Sequence, residues 1–127
     1  MEEIQKTEFH EDKKITAGHP FGLFNIELTN KCPMKCVMCP RTYHMTREQG
    51  FMEFTLFKKI IDELAAANPS FHNDKTVWLH HFGESLLHPE FEVFIRYAAE
   101  KEIRTGLSVN PVMLNEKNTK SLLKSGL

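Results

Sequence analysis

The chain has 127 residues, 41% hydrophobic and 26% charged, with a formal net charge of −1. Its length fits a single domain, and the near-neutral charge gives no electrostatic reason to expect a nucleic-acid or anionic-membrane partner. The longest apolar runs are a few residues, far short of the roughly 20 that span a bilayer, and Met1-Glu2-Glu3-Ile4-Gln5-Lys6 lacks a signal peptide's basic and apolar stretches. A cytoplasmic protein without a membrane segment is expected.

Residues 1–20 are rich in charge (Glu2, Glu3, Glu8, Glu11, Asp12, Lys13, Lys14) and show no sustained period, so they read as a loosely ordered lead to a domain over 21–127. Phe24, Ile26 and Leu28 then alternate with Asn25 and Glu27, the period-2 pattern of a strand, which runs into Thr29-Asn30-Lys31-Cys32. Thr55 is placed to cap a helix through Leu56, Ile60, Ile61 and Leu64, ending near Asn68-Pro69. A second strand is expected over Thr76–Phe82, bounded by Gly83. The next helix carries Pro89 in its first turn and Phe91, Phe94, Ile95, Ala98 and Ala99 on one face. Arg104 to Val109 reads as a third strand, ended by Asn110-Pro111, and Asn115 as the cap of a third helix closed by Gly126. The order β-α-β-α-β-α implies an α/β fold with a parallel sheet and right-handed crossovers. Its one long connection, about two dozen residues after the first strand, is of the kind that usually serves function or is disordered.

That loop holds all three cysteines, Cys32, Cys36 and Cys39, spaced C-x3-C-x2-C. An odd, tightly spaced set is a poor disulfide framework, and metal binding or catalysis is the better reading. Thiolates are the usual ligands of iron–sulfur clusters. Three on one loop can grip three irons of a cubane and leave the fourth open to a small molecule with amino and carboxylate groups. The alternative is structural zinc, with His44, His80 or His81 completing a Cys3His set, although no second C-x2-C-like pair is present. Packing as three unrelated small hydrophobes fits poorly with clustering on a polar, proline-containing loop.

With its cysteines on the loop after the first strand of a βα array, the sequence resembles the radical S-adenosylmethionine (SAM) superfamily. Ile26-Glu27-Leu28-Thr29-Asn30-Lys31-Cys32 and Cys36-Val37-Met38-Cys39-Pro40-Arg41 look most like the branch with SPASM or related C-terminal extensions. The similarity continues through Gly50-Phe51-Met52, Phe82-Gly83-Glu84-Ser85-Leu86-Leu87-His88-Pro89 and Ser108-Val109-Asn110. It implies about three βα units of a (β/α)6 partial barrel, with the later strands lying beyond this sequence.

The resemblance further implies that Cys32, Cys36 and Cys39 hold a [4Fe–4S] cluster. SAM bound to it would be cleaved reductively to a 5′-deoxyadenosyl radical that abstracts hydrogen from a small-molecule or peptide substrate. Gly83 and Glu84 match the last two positions of the family's Gly-Gly-Glu motif, which helps hold the SAM amino group; Phe82 stands in place of its first glycine. Met38 occupies a position that is often aromatic in the family and could lie against adenine. Ser108 and Asn110 fall where relatives approach SAM or substrate, with Pro111 in place of a glycine. An oxidoreductase or modifying enzyme of this kind needs a reducing partner such as flavodoxin or ferredoxin. If the later strands are not on the same chain, it needs a separate C-terminal polypeptide as well. The rival readings are a non-catalytic iron–sulfur or zinc module, and an inactive truncated remnant.

Several other residues have plainer roles by default. His80 and His81, adjacent on a strand, point to opposite faces. His88 before Pro89 reads as a turn residue, and Trp78 as core. Arg41 could offset cluster or carboxylate charge, but arginines in solvent are commoner.

Overall fold

The computed structural model describes residue 23, residues 25–67 and residues 75–127. The expected lead over 1–20, Phe24 of the first strand and the Asn68-Pro69 helix end lie outside the described residues. The elements are α1 (Pro40–Tyr43), α2 (Phe54–Ala67), β1 (Val77–Trp78), α3 (Phe91–Glu100), β2 (Thr105–Gly106) and α4 (Glu116–Ser125). Two 3-10 turns, Ser85–Leu87 and Pro111–Met113, follow β1 and β2. Among the described residues no helix is long and apolar enough to cross a membrane.

β1 is the centre of a small parallel arrangement. Val77 and Leu79 donate their amides to Arg104 and Gly106, while the carbonyl of Trp78 accepts from Ile26 on the other edge. That alternation places the first segment and β2 on opposite sides of β1, both parallel to it. The expected strands are therefore in place and in the expected orientation, but their regular ladders are shorter than the sequence pattern. The first strand is reduced to a bridge at Asn25, and the runs Thr76–Phe82 and Arg104–Val109 keep two ladder residues each. The missing rungs have a physical cause, because side chains take over the backbone groups beyond them. The Asn25 amide donates to the His80 carbonyl, the Phe82 amide donates to Glu27, and the Ser108 amide donates to the His80 ring.

The core lies between this sheet and the helices. Ile26, Leu28, Val77 and Leu79 meet Phe57, Ile61 and Leu64 of α2 and Phe91, Phe94, Ile95 and Ala98 of α3. The two helical sets recur at three- and four-residue intervals, so each helix turns one stripe inward. α3 packs against both α2 and α4. The Phe94 ring at its centre touches Phe57 at 4.8 Å, His88 at 4.5 Å and Phe54 at 5.3 Å between centroids.

Helix boundaries depart from expectation in two places. The Glu53 carbonyl accepts from Leu56 and Phe57, so α2 starts at Phe54 and Thr55 lies inside its first turn rather than capping it. Phe54 is drawn into the helix by its edge contacts with Phe94 and Tyr97. Pro89 precedes the N-cap Glu90 of α3 instead of occupying its first turn. The 3-10 turn ends at His88, whose ring accepts from the Glu90 amide and so sets the corner. The third helix follows its sequence signals: Asn115 accepts from the Asn118 amide, and Gly126 closes the helix at φ 87°.

An exposed polar joint ties α2 to α3. Asp62 accepts from Lys58 at 2.8 Å, from the Tyr97 hydroxyl at 2.6 Å and from Lys101 at 3.0 Å. The Lys58 bond, then those from Tyr97 and Lys101, hold the Asp62 carboxyl well below the usual carboxylate range. Because its folded pKa is depressed, the joint's contribution is complete above the unfolded value of about 3.9 and is lost as pH falls through the folded value. Asp62→Asn should therefore flatten the acid limb of a stability–pH curve measured by urea unfolding, leave its shape around neutrality nearly unchanged, and flatten the far-alkaline limb as well, because Asp62 also raises the pKa of Lys58 and of Lys101. By contrast, Phe94→Ala should lower stability at every pH by about 3–5 kcal/mol through the cavity it leaves.

Candidate functional site

The cysteine loop begins and ends at a staple. Thr29 and Asn30 are buried, at 3% and 7% exposure, directly before the cysteines. The Thr29 hydroxyl donates to the Gly50 carbonyl at 2.6 Å and accepts from the Lys31 amide at 3.1 Å. Asn30 donates to the Glu48 carbonyl and accepts from the Gly50 amide, each at 2.8 Å. Met52 then donates to Leu28 and Phe51 bridges Thr29 in antiparallel fashion. Short hydroxyl and amide side chains suit this work because they reach nearby backbone groups without long, mobile stems.

Inside the staple, the Cys36 carbonyl accepts from the Cys39 amide at 3.1 Å and from the Thr42 hydroxyl at 3.1 Å. Cys39 is the N-cap of α1, with Pro40 at its first position. The last two cysteines thus share one turn, further braced by Arg41, which donates to the Met34 carbonyl. All three thiols are free; Cys32 and Cys39 are half-buried and Cys36 is exposed. Met38, expected near a cofactor, is 82% exposed, and its neighbour Val37 is 83% exposed.

The loop after β1 is pressed against the root of this one. A Cβ placed on Gly83 would stand 1.7 Å from the Thr29 carbonyl oxygen, so only glycine permits the approach. One residue on, the Glu84 amide donates to the Lys31 carbonyl at 2.8 Å, immediately before Cys32. The Glu84 carboxylate is buried and accepts from Leu86 at 3.2 Å and from Asn110 at 2.7 Å. Backbone and side chain of Glu84 together join the loops at the C-terminal ends of all three parallel segments. Asn110 arrives there through its amide, while its side-chain oxygen accepts from Val112 and shapes the following turn. Ser108 is exposed, and its amide donates to His80 Nδ1 at 3.0 Å.

Phe82, in the position where a glycine was expected, gives its amide to Glu27 at 2.9 Å and lays its ring near that of His81, with centroids 3.9 Å apart. The other Glu27 oxygen pairs with Arg47. Burial and then the neighbouring His81 lower the pKa of His80, against an opposing pull from Glu84. His88 is buried and structural: Nδ1 accepts from Glu90, which leaves Nε2 to donate to the Met52 carbonyl at 3.0 Å. Gly83, Glu84 and the cysteines stand out in the sequence, whereas the structural parts of Thr29, Asn30 and Glu27 emerge only from the fold. Thr-Asn directly ahead of a long loop was the available signal for the first two.

Among the described residues no three His, Cys, Asp or Glu side chains converge as ligands of a single ion would. A cubane makes a different demand, since each thiolate takes its own iron and the sulfurs stand apart. Three free thiols on one exposed turn-and-loop, with a buried, hydrogen-bonded root, suit that donor set.

The family model described as the radical SAM superfamily matches residues 26–127. The chain belongs to the radical SAM superfamily. It is 29% identical over 102 residues to the tungsten-containing aldehyde ferredoxin oxidoreductase cofactor-modifying protein of Pyrococcus furiosus, covering 80% of this chain and 27% of that one. It is 24% identical over 109 residues to the S-adenosyl-L-methionine-dependent 2-deoxy-scyllo-inosamine dehydrogenase of Niallia circulans, covering 84% and 42%. With the PqqA peptide cyclase of Granulibacter bethesdensis it shares 27% identity over 114 residues, covering 88% and 28%. The crystal structure of BtrN in complex with AdoMet and 2-DOIA shares the fold, with a TM-score of 0.72 and 24% identity over 84% of this chain and 43% of that one. The chain thus spans less than half the length of each of these relatives. Their names describe a cofactor-modifying protein, a dehydrogenase and a peptide cyclase, and the α/β core of the BtrN structure is the one seen here.

Gly83→Ala should force the β1 loop away from Thr29 and cost on the order of 3 kcal/mol, as overpacking against immovable backbone does. Glu84→Ala should cost about 1–3 kcal/mol by leaving the Leu86 and Asn110 amides without their acceptor. Thermal unfolding of the two variants checks both, and amide hydrogen exchange at Asn110 should rise in the second.

Proposed function

We propose that this chain forms the cluster- and SAM-binding part of a radical SAM enzyme, with Cys32, Cys36 and Cys39 as ligands of a [4Fe–4S] cluster. The observation that carries the reading is the set of three free thiols on a loop whose root is fixed by the Gly83-Glu84 dipeptide. When bound, the cluster would supply the electron that cleaves SAM to a 5′-deoxyadenosyl radical for hydrogen abstraction. The protein's own part is positional. Glu84 and the backbone beside Gly83 offer acceptors for the SAM amino group; two further lone-pair sites remain on the carboxylate after its bonds to Leu86 and Asn110. Met38, exposed on the cluster loop, offers an apolar side chain to adenine, and Ser108 and Asn110 line the neighbouring strand end.

Residues 21–127 are taken as the first three βα units of a (β/α)6 partial barrel, preceded by a lead over 1–20. The edge of β2 away from β1, which has no strand partner among the described residues, is where a fourth strand would add, from the same chain or from a separate polypeptide. The family branch with SPASM-like extensions fits the residues around the cysteines. The reading as an oxidoreductase or modifying activity on a small molecule or peptide draws support from the relatives, whose names describe a dehydrogenase, a peptide cyclase and a cofactor-modifying protein. Its electron would come from a flavodoxin- or ferredoxin-type partner, in the cytoplasm.

Anaerobic reconstitution with iron and sulfide, followed by EPR of the reduced protein, tests the reading. A [4Fe–4S] signal that changes on adding SAM is expected. Alanine at any one of the three cysteines should remove most of the bound iron while far-UV circular dichroism stays the same. Stoichiometric zinc with no cluster in the wild-type protein would sink the proposal.

A further inference from the structure

Beside the cysteine loop lies a cavity of about 450 Å³, between α1 with the segment that follows it and the bend after β1. Its size is in the range of small-molecule sites. Every ionisable side chain on its wall is basic: Arg41, His44, Arg47 and His81, with Thr46 and Phe82 among the other members. This is notable in a chain whose net charge is −1. Arg47 is held from one side by Glu27, which leaves the rest of its guanidinium available. Arg41 has no carboxylate partner among the described residues; its Nη2 rests on the Met34 carbonyl, and its Nε is buried without any acceptor. Arg41 lines the cavity while held in this way, and a guanidinium of fixed orientation suits the planar, two-oxygen edge of a carboxylate or phosphate.

The three cysteines, Met38, Gly83, Glu84, Ser108 and Asn110 do not line this cavity; of the residues weighed above beside the cluster, only Arg41, His44 and His81 do. We propose that it is the anchoring site for an oxyanion, a carboxylate or phosphate, carried by a ligand other than SAM, with Arg41 as the principal anchor and Arg47 as the second. The natural bearer is the substrate, which the site would hold by its anionic end next to the cysteine loop. Binding of the oxyanion itself needs neither cluster nor SAM, so this inference and the cluster reading fail separately.

The test is titration of the purified chain with inorganic phosphate and, separately, with acetate, following the Arg41 and Arg47 Nε–H resonances by NMR. A saturable shift of the Arg41 resonance with at least one probe is expected. Phosphate as the better probe would mark a phosphorylated substrate, and acetate a carboxylate one. Arg41→Gln should weaken the binding by about tenfold, the worth of one charge-assisted hydrogen bond. Arg41→Lys should restore part of it, and Lys59→Gln, at an exposed position of α2 outside the cavity lining, should change nothing. SAM added to the reconstituted protein should leave the bound probe in place. Two results overturn the proposal: no saturable shift with either probe, or displacement of the probe by SAM, which would make the cavity the cofactor's own carboxylate pocket.

Discussion

Two backbones can lie in contact only where no side chain stands between them, and the strand ends of this protein are organised by one such meeting. Gly83 sits against the Thr29 carbonyl, and the next residue uses that closeness three times over. Glu84 gives its amide to Lys31, and its carboxylate accepts from Leu86 and Asn110. The three loops that follow the parallel segments are thereby tied at one point, beneath the first cysteine. A carboxylate is suited to this because it accepts from several amides at once in a place largely closed to water.

The remaining architecture serves that knot from below. Helices α2 and α3 seal the apolar side of the sheet through Phe57, Ile61, Leu64, Phe94 and Ile95, all fully buried. With the core closed on one side by helices, the chemistry-bearing residues gather at the strand ends, where chain direction reverses and backbone groups need partners. The same demand explains why the regular ladders are short. Side chains from Asn25, Glu27 and His80 take up amides and carbonyls that a longer sheet would have paired. A strand end that is paired by side chains can be shaped residue by residue, which a ladder cannot.

Much of this was legible in the sequence. Apolar spacing located the helical stripes, Asn115 and Gly126 marked the ends of α4, and the tight cysteine spacing singled out the loop. Strand lengths were not legible, because alternation reports which face is buried and not which partner takes each amide. Thr55 looked like a cap, but the Phe54 ring packing on Phe94 and Tyr97 extended the helix past it. The end of α3 was equally silent: Glu102 adopts the left-handed conformation at φ 58° without a glycine to announce it, where Ile103 is buried and bonds back to Ala98. The Gly83-Glu84 pair was visible through resemblance, yet its role as a joint between loops depends on contacts distant in sequence that no local pattern encodes.

The staple formed by Thr29 and Asn30 has a kinetic meaning as well as a structural one. A loop whose ends are already held together has met most of its closure entropy before any ligand arrives. Its three cysteines are then carried on one tethered segment, and capture of a group there would be a local event. The fastenings are side chains buried at the root, while Cys36, Val37 and Met38 are exposed at the outer turn. Any group held at that turn would therefore be exchanged at the rim of the domain, above helices and sheet whose own packing does not include the turn.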